Sequence, residues 1–203
     1  MSWSATEIQT WLGQCVDRMI AAAPELNELD GKLGDGDLGA TLEKCARLMQ
    51  DGLAGDFETP SDLFKVCAMA CTRASGSSFG TLMAVAFMTL TKETMGKNEL
   101  ASADVEPLLG QVLDALMARG KASLGDKTVL DSLEAIRLAV TDLADEAQLA
   151  EIAFVASSSA LDAYRDKPNQ IGRARMFAEK SIGMDDPGMV AVLRIVGTVE
   201  EVT

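Results

Sequence analysis

The 203-residue chain contains no histidine. This removes phosphohistidine chemistry on this chain, Ser-His and Cys-His catalysis, and the common zinc ligand sets. Any general base must be a carboxylate or come from another chain. Aromatic residues are scarce, at 4%, while Ala, Leu and Met are abundant, a balance that favours helices over strands. Positive charge is also short: 18 Lys and Arg stand against 31 Asp and Glu, a net charge of −13. So acidic a chain lacks the basic face that nucleic acid or an anionic membrane requires. It can still hold a polyanion if metal ions bridge the two. No uninterrupted apolar run is long enough to span a bilayer, and residues 1–7 do not read as a signal peptide, so a cytoplasmic location is expected. Cys15, Cys45, Cys67 and Cys71 sit in apolar helical patterns without the spacing of a metal site, and read as buried free thiols.

What the chain does have is helical periodicity. Ser4 to Glu7 spells a capping box. Ile8, Trp11, Leu12, Cys15, Val16, Met19 and Ile20 follow as one amphipathic stripe. Pro24 suits the first turn of a short second helix ending near Leu29. Further helices are predicted over about 39–53, from Pro60, over 82–91, 105–119, 129–143 and 146–164, and from Pro187 or Gly188 toward Val199. No stretch alternates with period 2, and no linker divides the chain. The expectation is a single all-α domain over residues 1–203, an antiparallel bundle of about eight helices.

Four glycine-containing breaks, at 30–41, 73–81, 119–128 and 172–188, carry the unusual chemistry. Alternate connections of an up-and-down array lie at the same end, so several of these breaks should meet on one rim. The first places Asp30, Asp35 and Asp37 among four glycines. Carboxylates that close repel one another unless a cation is shared, and this pattern points to a hard divalent ion such as Mg²⁺ carrying a nucleotide phosphate. A solvated acidic turn is the alternative. Gly34 to Gly39 matches G-x-G-x-x-G, but a helix rather than a strand precedes it and two of its variable positions are Asp, so a dinucleotide fingerprint is excluded. The EF-hand spacing fails at Gly39 and Ala46, and no Gly-Lys pair precedes Ser or Thr as a Walker A loop requires.

The other breaks are less specific. Residues 74–80 are small and hydroxylated and precede a helix, which suits either an anion site or a Ser-capped turn. In 120–128, Asp126 or Thr128 is placed to cap the next helix. Arg173 and Arg175 are placed either to grip a phosphate or to form surface ion pairs. Asp186-Pro187 reads as an N-cap with Pro at N1.

Taken in order, these segments resemble the nucleotide-binding subunit of dihydroxyacetone kinases. The resemblance rests on Gly-Asp-Gly-Asp-x-Gly at 34–39, Ala-Ser-Gly-x-x-Phe-Gly-Thr at 74–81, Arg-Gly-Lys-Ala at 119–122, Gly-Asp-Lys-Thr at 125–128, Gly-Arg-Ala at 172–174 and Ser-Ile-Gly-x-x-Asp-Pro-Gly at 181–188. It implies a barrel of eight antiparallel helices with ADP or ATP lying across one end. By the same resemblance Asp30, Asp35 and Asp37 hold two Mg²⁺ ions. Leu38, Gly39, Ala40, Thr41, Ala74, Ser75, Gly120, Val129, Arg173, Asp186, Pro187 and Gly188 then line the nucleotide. No residue of this chain is assigned a catalytic role.

The resemblance further implies phosphoryl transfer to dihydroxyacetone or a related keto-sugar held by a separate substrate-binding subunit. A phosphohistidine phosphotransferase protein is a further partner in those relatives that keep ADP as a coenzyme. Leu38 stands where such members carry His, which tilts the expectation toward ATP exchange. Arg73 replaces a residue that is usually glycine. A nucleotide-dependent regulatory module without catalysis of its own is the alternative that the same aspartates would serve.

Overall fold

The computed structural model describes residues 2–74, 76–141, 148–172 and 174–197. Among these are eight α-helices: α1 (Ala5–Leu33), α2 (Leu38–Gly52), α3 (Pro60–Ala74), α4 (Ser78–Glu93), α5 (Ser102–Gly120), α6 (Val129–Ala139), α7 (Leu149–Tyr164) and α8 (Pro187–Val196). Each helix packs on its neighbour in sequence, and α8 returns to pack on α1. The eight therefore close into a ring. Short connections make neighbours antiparallel from α1 to α7, and the longer 165–186 segment brings α8 back against α7 and α1. The C-termini of α1, α3, α5 and α7 consequently share one end of the ring with the N-termini of α2, α4, α6 and α8.

Local sequence explains most boundaries. Ser4 caps α1, with Glu7 reaching back to accept from the Ser4 N–H at 2.8 Å. Thr59 Oγ1 accepts from the Asp62 N–H at the start of α3. Ser77, Thr128 and Asp186 cap α4, α6 and α8, the last with Pro at the first turn. Asp104 accepts from the Ala101 N–H at 2.9 Å ahead of α5.

Four expectations need correction. Pro24 does not open a second helix; α1 runs through it for 29 residues. An internal proline loses one hydrogen bond and costs about 3 kcal/mol. The buried stripe on both sides, Val16, Met19, Ala22, Ala23, Leu26 and Leu33, outweighs that cost, since each large side chain gains about 2 kcal/mol on burial. The chain also contains two short strands, β1 (Ser2–Ser4) and β2 (Glu99–Ala101), paired antiparallel with Trp3 opposite Leu100. Three-residue strands are too short for period-2 alternation to reveal. They tie the start of the chain to the α4–α5 connection, at the end away from the α1–α2 break. α4 also begins four residues before the predicted position because Ser77 caps it. The helix expected over 129–143 ends earlier, at Ala139, where Val140 closes it, and the start expected at 146 falls outside the described residues.

The main core lies among α1, α2, α3 and α8, with smaller clusters between α4, α5 and α6 and between α6, α7 and α8. Arg18 closes the ring at the α1–α8 seam: its Nε donates to the Ile195 carbonyl at 2.8 Å, and Arg194 pairs with Glu25. All four cysteines are buried and free, as expected. Burial pushes the Cys15 thiol up to about 11 and Cys67 up to about 12, so both remain protonated and unreactive.

Candidate functional site

The α1–α2 connection folds around Asp30. Because α1 continues past Pro24, Asn27 and Asp30 fall one turn apart on one helical face. Asp30 Oδ2 accepts from the Asp37 N–H at 3.0 Å and the Leu38 N–H at 3.3 Å, and Asn27 Oδ1 accepts from the Ala40 N–H at 3.0 Å. Side chains of α1 therefore satisfy the first N–H groups of α2. Asp37, the residue at the N-cap position, makes no side-chain capping bond. Gly36 turns the chain with φ +74°, in the left-handed region that favours glycine.

This wrapping brings one carboxylate oxygen from each of Asp30, Asp35 and Asp37 to within 4.8 Å of one another. Asp35 and Asp37 are exposed and Asp30 is half-buried. Three hard oxygen donors converging from a helix end and a glycine-rich turn are the donor set of a hard divalent cation. The residues present fit Mg²⁺.

The three remaining breaks also converge. A Cβ built on Gly188 would lie 3.6 Å from Phe79 Cε2 and 3.7 Å from the Val129 nitrogen. The first turns of α4, α6 and α8 thus meet there. Four helix N-termini face this one end of the ring, each with partial positive charge, an arrangement suited to phosphate.

The positions expected to line a nucleotide distribute as follows. Leu38, Gly39, Ala40 and Thr41 form the first turn of α2. Ala74 closes α3 and is buried, and Gly120 closes α5 and is exposed. Val129 opens α6 and Asp186, Pro187 and Gly188 open α8. Ser75 and Arg173 lie outside the described residues. Of the alternatives left open by sequence, Ser77 does cap α4, Thr128 does cap α6, and Asp126 accepts from the Ser123 N–H at 2.7 Å. An open hollow of about 480 Å³ lies between the N-terminal half of α1 and the C-terminal end of α2. It is at the far end from the aspartates, and Asp17 is the one charged residue lining it.

Two residues at this end lie outside every motif read from the sequence, Asn27 and Asn169, and Lys127 stands in one, Gly-Asp-Lys-Thr at 125–128, without a role assigned to it. Asn27 was signalled by its spacing of three from Asp30, hidden once the helix was ended at Leu29. Asn169 Nδ2 donates to Asp186 Oδ2 and to the Lys127 carbonyl, both at 2.8 Å. Nothing in the sequence pairs residue 169 with residues 127 and 186.

Asp186 is 8% exposed. Burial pushes its carboxyl up to about 6, against the opposing pull of the Met189 and Gly188 N–H groups, Asn169 and the Lys127 charge. With the folded pKa above the unfolded value near 3.9, the folded chain binds more protons between those two limits. This residue's contribution to stability is therefore fully present below pH ~4 and is lost as pH rises to ~6. Glu25, Asp104 and Glu134 are shifted the other way by Arg194, Lys97 and Arg137, and act below that window. Thermal melts from pH 4.5 to 7 should show Asp186→Asn flattening this fall. An unchanged profile would remove Asp186 as its source.

A family model, the DAK2 domain, matches residues 32–201. The chain is 32% identical over 194 residues to the PTS-dependent dihydroxyacetone kinase, ADP-binding subunit DhaL, of Lactococcus lactis, covering 95% of this chain and 94% of that one. It is 25% identical over 198 residues to the corresponding PEP-dependent subunit of Escherichia coli, with the same coverage. Among solved structures, the dihydroxyacetone kinase of C. freundii in complex with AMP-PNP and Mg²⁺ shares the fold, with a TM-score of 0.74 and 24% identity. That match covers 97% of this chain and 34% of the C. freundii chain. With a family model spanning most of its length and a 32%-identical relative matched over 95% of it, this chain belongs to the DAK2 domain family, alongside the ADP-binding subunits of dihydroxyacetone kinases.

Proposed function

We propose that this chain is the nucleotide-carrying subunit of a kinase for dihydroxyacetone or a related keto-sugar, working with a separate substrate-binding subunit. The observation that carries the reading is the closure of Asp30, Asp35 and Asp37 to within 4.8 Å at the end of the ring where four helix N-termini gather. Two Mg²⁺ ions at these carboxylates would supply the positive charge that attracts a triphosphate and offsets charge developing during transfer.

The chain's own residues bind and orient. Asp30 fixes the loop through the Asp37 and Leu38 N–H groups, which holds the three carboxylates together. The N-termini of α2, α4, α6 and α8 turn the positive ends of their helix dipoles toward phosphate oxygens. Metal-ligating carboxylates are poor proton acceptors, so these aspartates are ligands rather than bases. With no histidine in the sequence, anchoring the sugar and moving its proton fall to the partner subunit.

The purified chain with ATP, Mg²⁺ and dihydroxyacetone should therefore form no sugar phosphate. Adding a substrate-binding subunit should start turnover. Turnover by the chain alone would overturn the division of labour. Leu38, in the first turn of α2, favours ATP exchange over a retained ADP coenzyme. Gel-filtered protein should then carry much less than one nucleotide per chain.

A further inference from the structure

Lys127 is 1% exposed. An ammonium buried that deeply is costly unless it is fully matched. Its Nζ donates to the carbonyls of Arg165 at 2.9 Å, Lys167 at 2.8 Å and Ser181 at 2.8 Å. All three donors are spent on main-chain oxygens, so the ammonium sits in a carbonyl cage of the kind that holds a monovalent cation. The Lys127 backbone is left-handed, with φ 59°. A non-glycine residue keeps that conformation only where its surroundings over-determine it.

The cage is built by one segment. Residues 165–186 cross from α7 to α8, and among the described residues their one regular element is a 3-10 helix, Ala174–Ser181. So long a crossover would be mobile unless it is fastened. Lys127 grips it near both ends. The Lys127 carbonyl accepts from Asn169 Nδ2, and the same amide donates to Asp186, the cap of α8. The Asn169 N–H donates to Ser181 Oγ at 2.9 Å, and the Gly183 N–H donates to the Arg165 carbonyl at 2.9 Å. Two residues after Lys127 comes Val129, beside Gly188.

We propose that Lys127 is a positioning residue for the nucleotide: its ammonium holds the α7–α8 crossover in the arrangement that sets Asp186, Pro187 and Gly188 against the start of α6. The inference rests on the reading of this end as the nucleotide site. Removing the ammonium takes its donor from the Lys167 carbonyl and leaves the Arg165 and Ser181 carbonyls with only the Gly183 and Met184 N–H groups, which loosens the crossover while the ring of helices packs elsewhere.

The test is calorimetric Mg-ADP binding, well below the melting temperature, with Lys127→Ala. Propylammonium matches the atoms this substitution deletes. The variant should keep its helical circular dichroism and bind Mg-ADP at least about tenfold more weakly. Propylammonium should restore affinity to within about threefold of wild type, and propanol, of similar shape without the charge, should not. Binding within twofold of wild type, or equal rescue by propanol, would overturn the inference, as would a lowered melting point with unchanged affinity. A wild-type chain that binds no Mg-ADP would overturn the nucleotide reading and this inference with it. If Lys127→Ala does not fold, Ser181→Ala decides: it cuts the same crossover more mildly and should weaken binding about fivefold, and unchanged affinity would again sink the inference.

Discussion

Asp37→Asn is expected to weaken Mg²⁺-dependent nucleotide binding by about 100-fold while leaving the helices intact. Asp37 occupies the N-cap position of α2 but makes no side-chain capping bond there. The first N–H groups of α2 are satisfied instead by Asp30 and Asn27. Asp37 is therefore the aspartate whose charge can be removed with little structural cost. Replacing it also relieves repulsion within a cluster whose oxygens approach to 4.8 Å. The melting temperature without metal should stay level or rise by about 2 °C. Loss of binding together with unchanged or improved stability separates a ligand from a scaffold residue. Asp30→Ala should instead lose both, because Asp30 fastens the loop as well. Calorimetry with and without chelator, paired with thermal melts, checks both variants. Full-strength binding by Asp37→Asn would remove this residue from the metal site.

Gly39→Ala should destabilise the fold by about 3 kcal/mol, lowering the melting temperature by roughly 10 °C. A Cβ there would sit 1.9 Å from the Ala23 carbonyl oxygen and 2.8 Å from Asn27 Oδ1. The first obstacle is backbone, which cannot swing aside as a long side chain would. α1 and α2 must move apart. The hydrogen bond from the Ala40 N–H to Asn27 is then lost, at a cost of about 1 kcal/mol. The aspartate cluster spans the same seam, so nucleotide affinity should fall along with stability. Gly13 is the control. It lies inside α1 with nothing within 4 Å of a built Cβ. Gly13→Ala should stabilise by up to about 1 kcal/mol through helix propensity alone. Melts that rank the two variants the other way would contradict the close approach at Gly39.

The architecture was readable from the sequence because helix signals are local. The Ser4–Glu7 box, the apolar stripes, Pro60 and Asp186-Pro187 each mark a boundary within a few residues. Pro24 misled because its local preference for a first turn competes with burial of a stripe that continues to Leu33, and burial wins. The β1–β2 ribbon was invisible for another reason: its pairing partners lie about a hundred positions apart and each strand is three residues long. The aspartate cluster was readable because its three members fall within eight positions among glycines. The polar knot of Lys127, Asn169, Ser181 and Asp186 was not. It is assembled from two crossovers that only the closed ring brings together.

Native mass spectrometry of the purified chain with ADP and magnesium, before and after chelation, probes the account at its centre. One nucleotide and two Mg²⁺ per chain, all lost together on chelation, is the predicted result. ADP that stays bound in the absence of any divalent ion would contradict it.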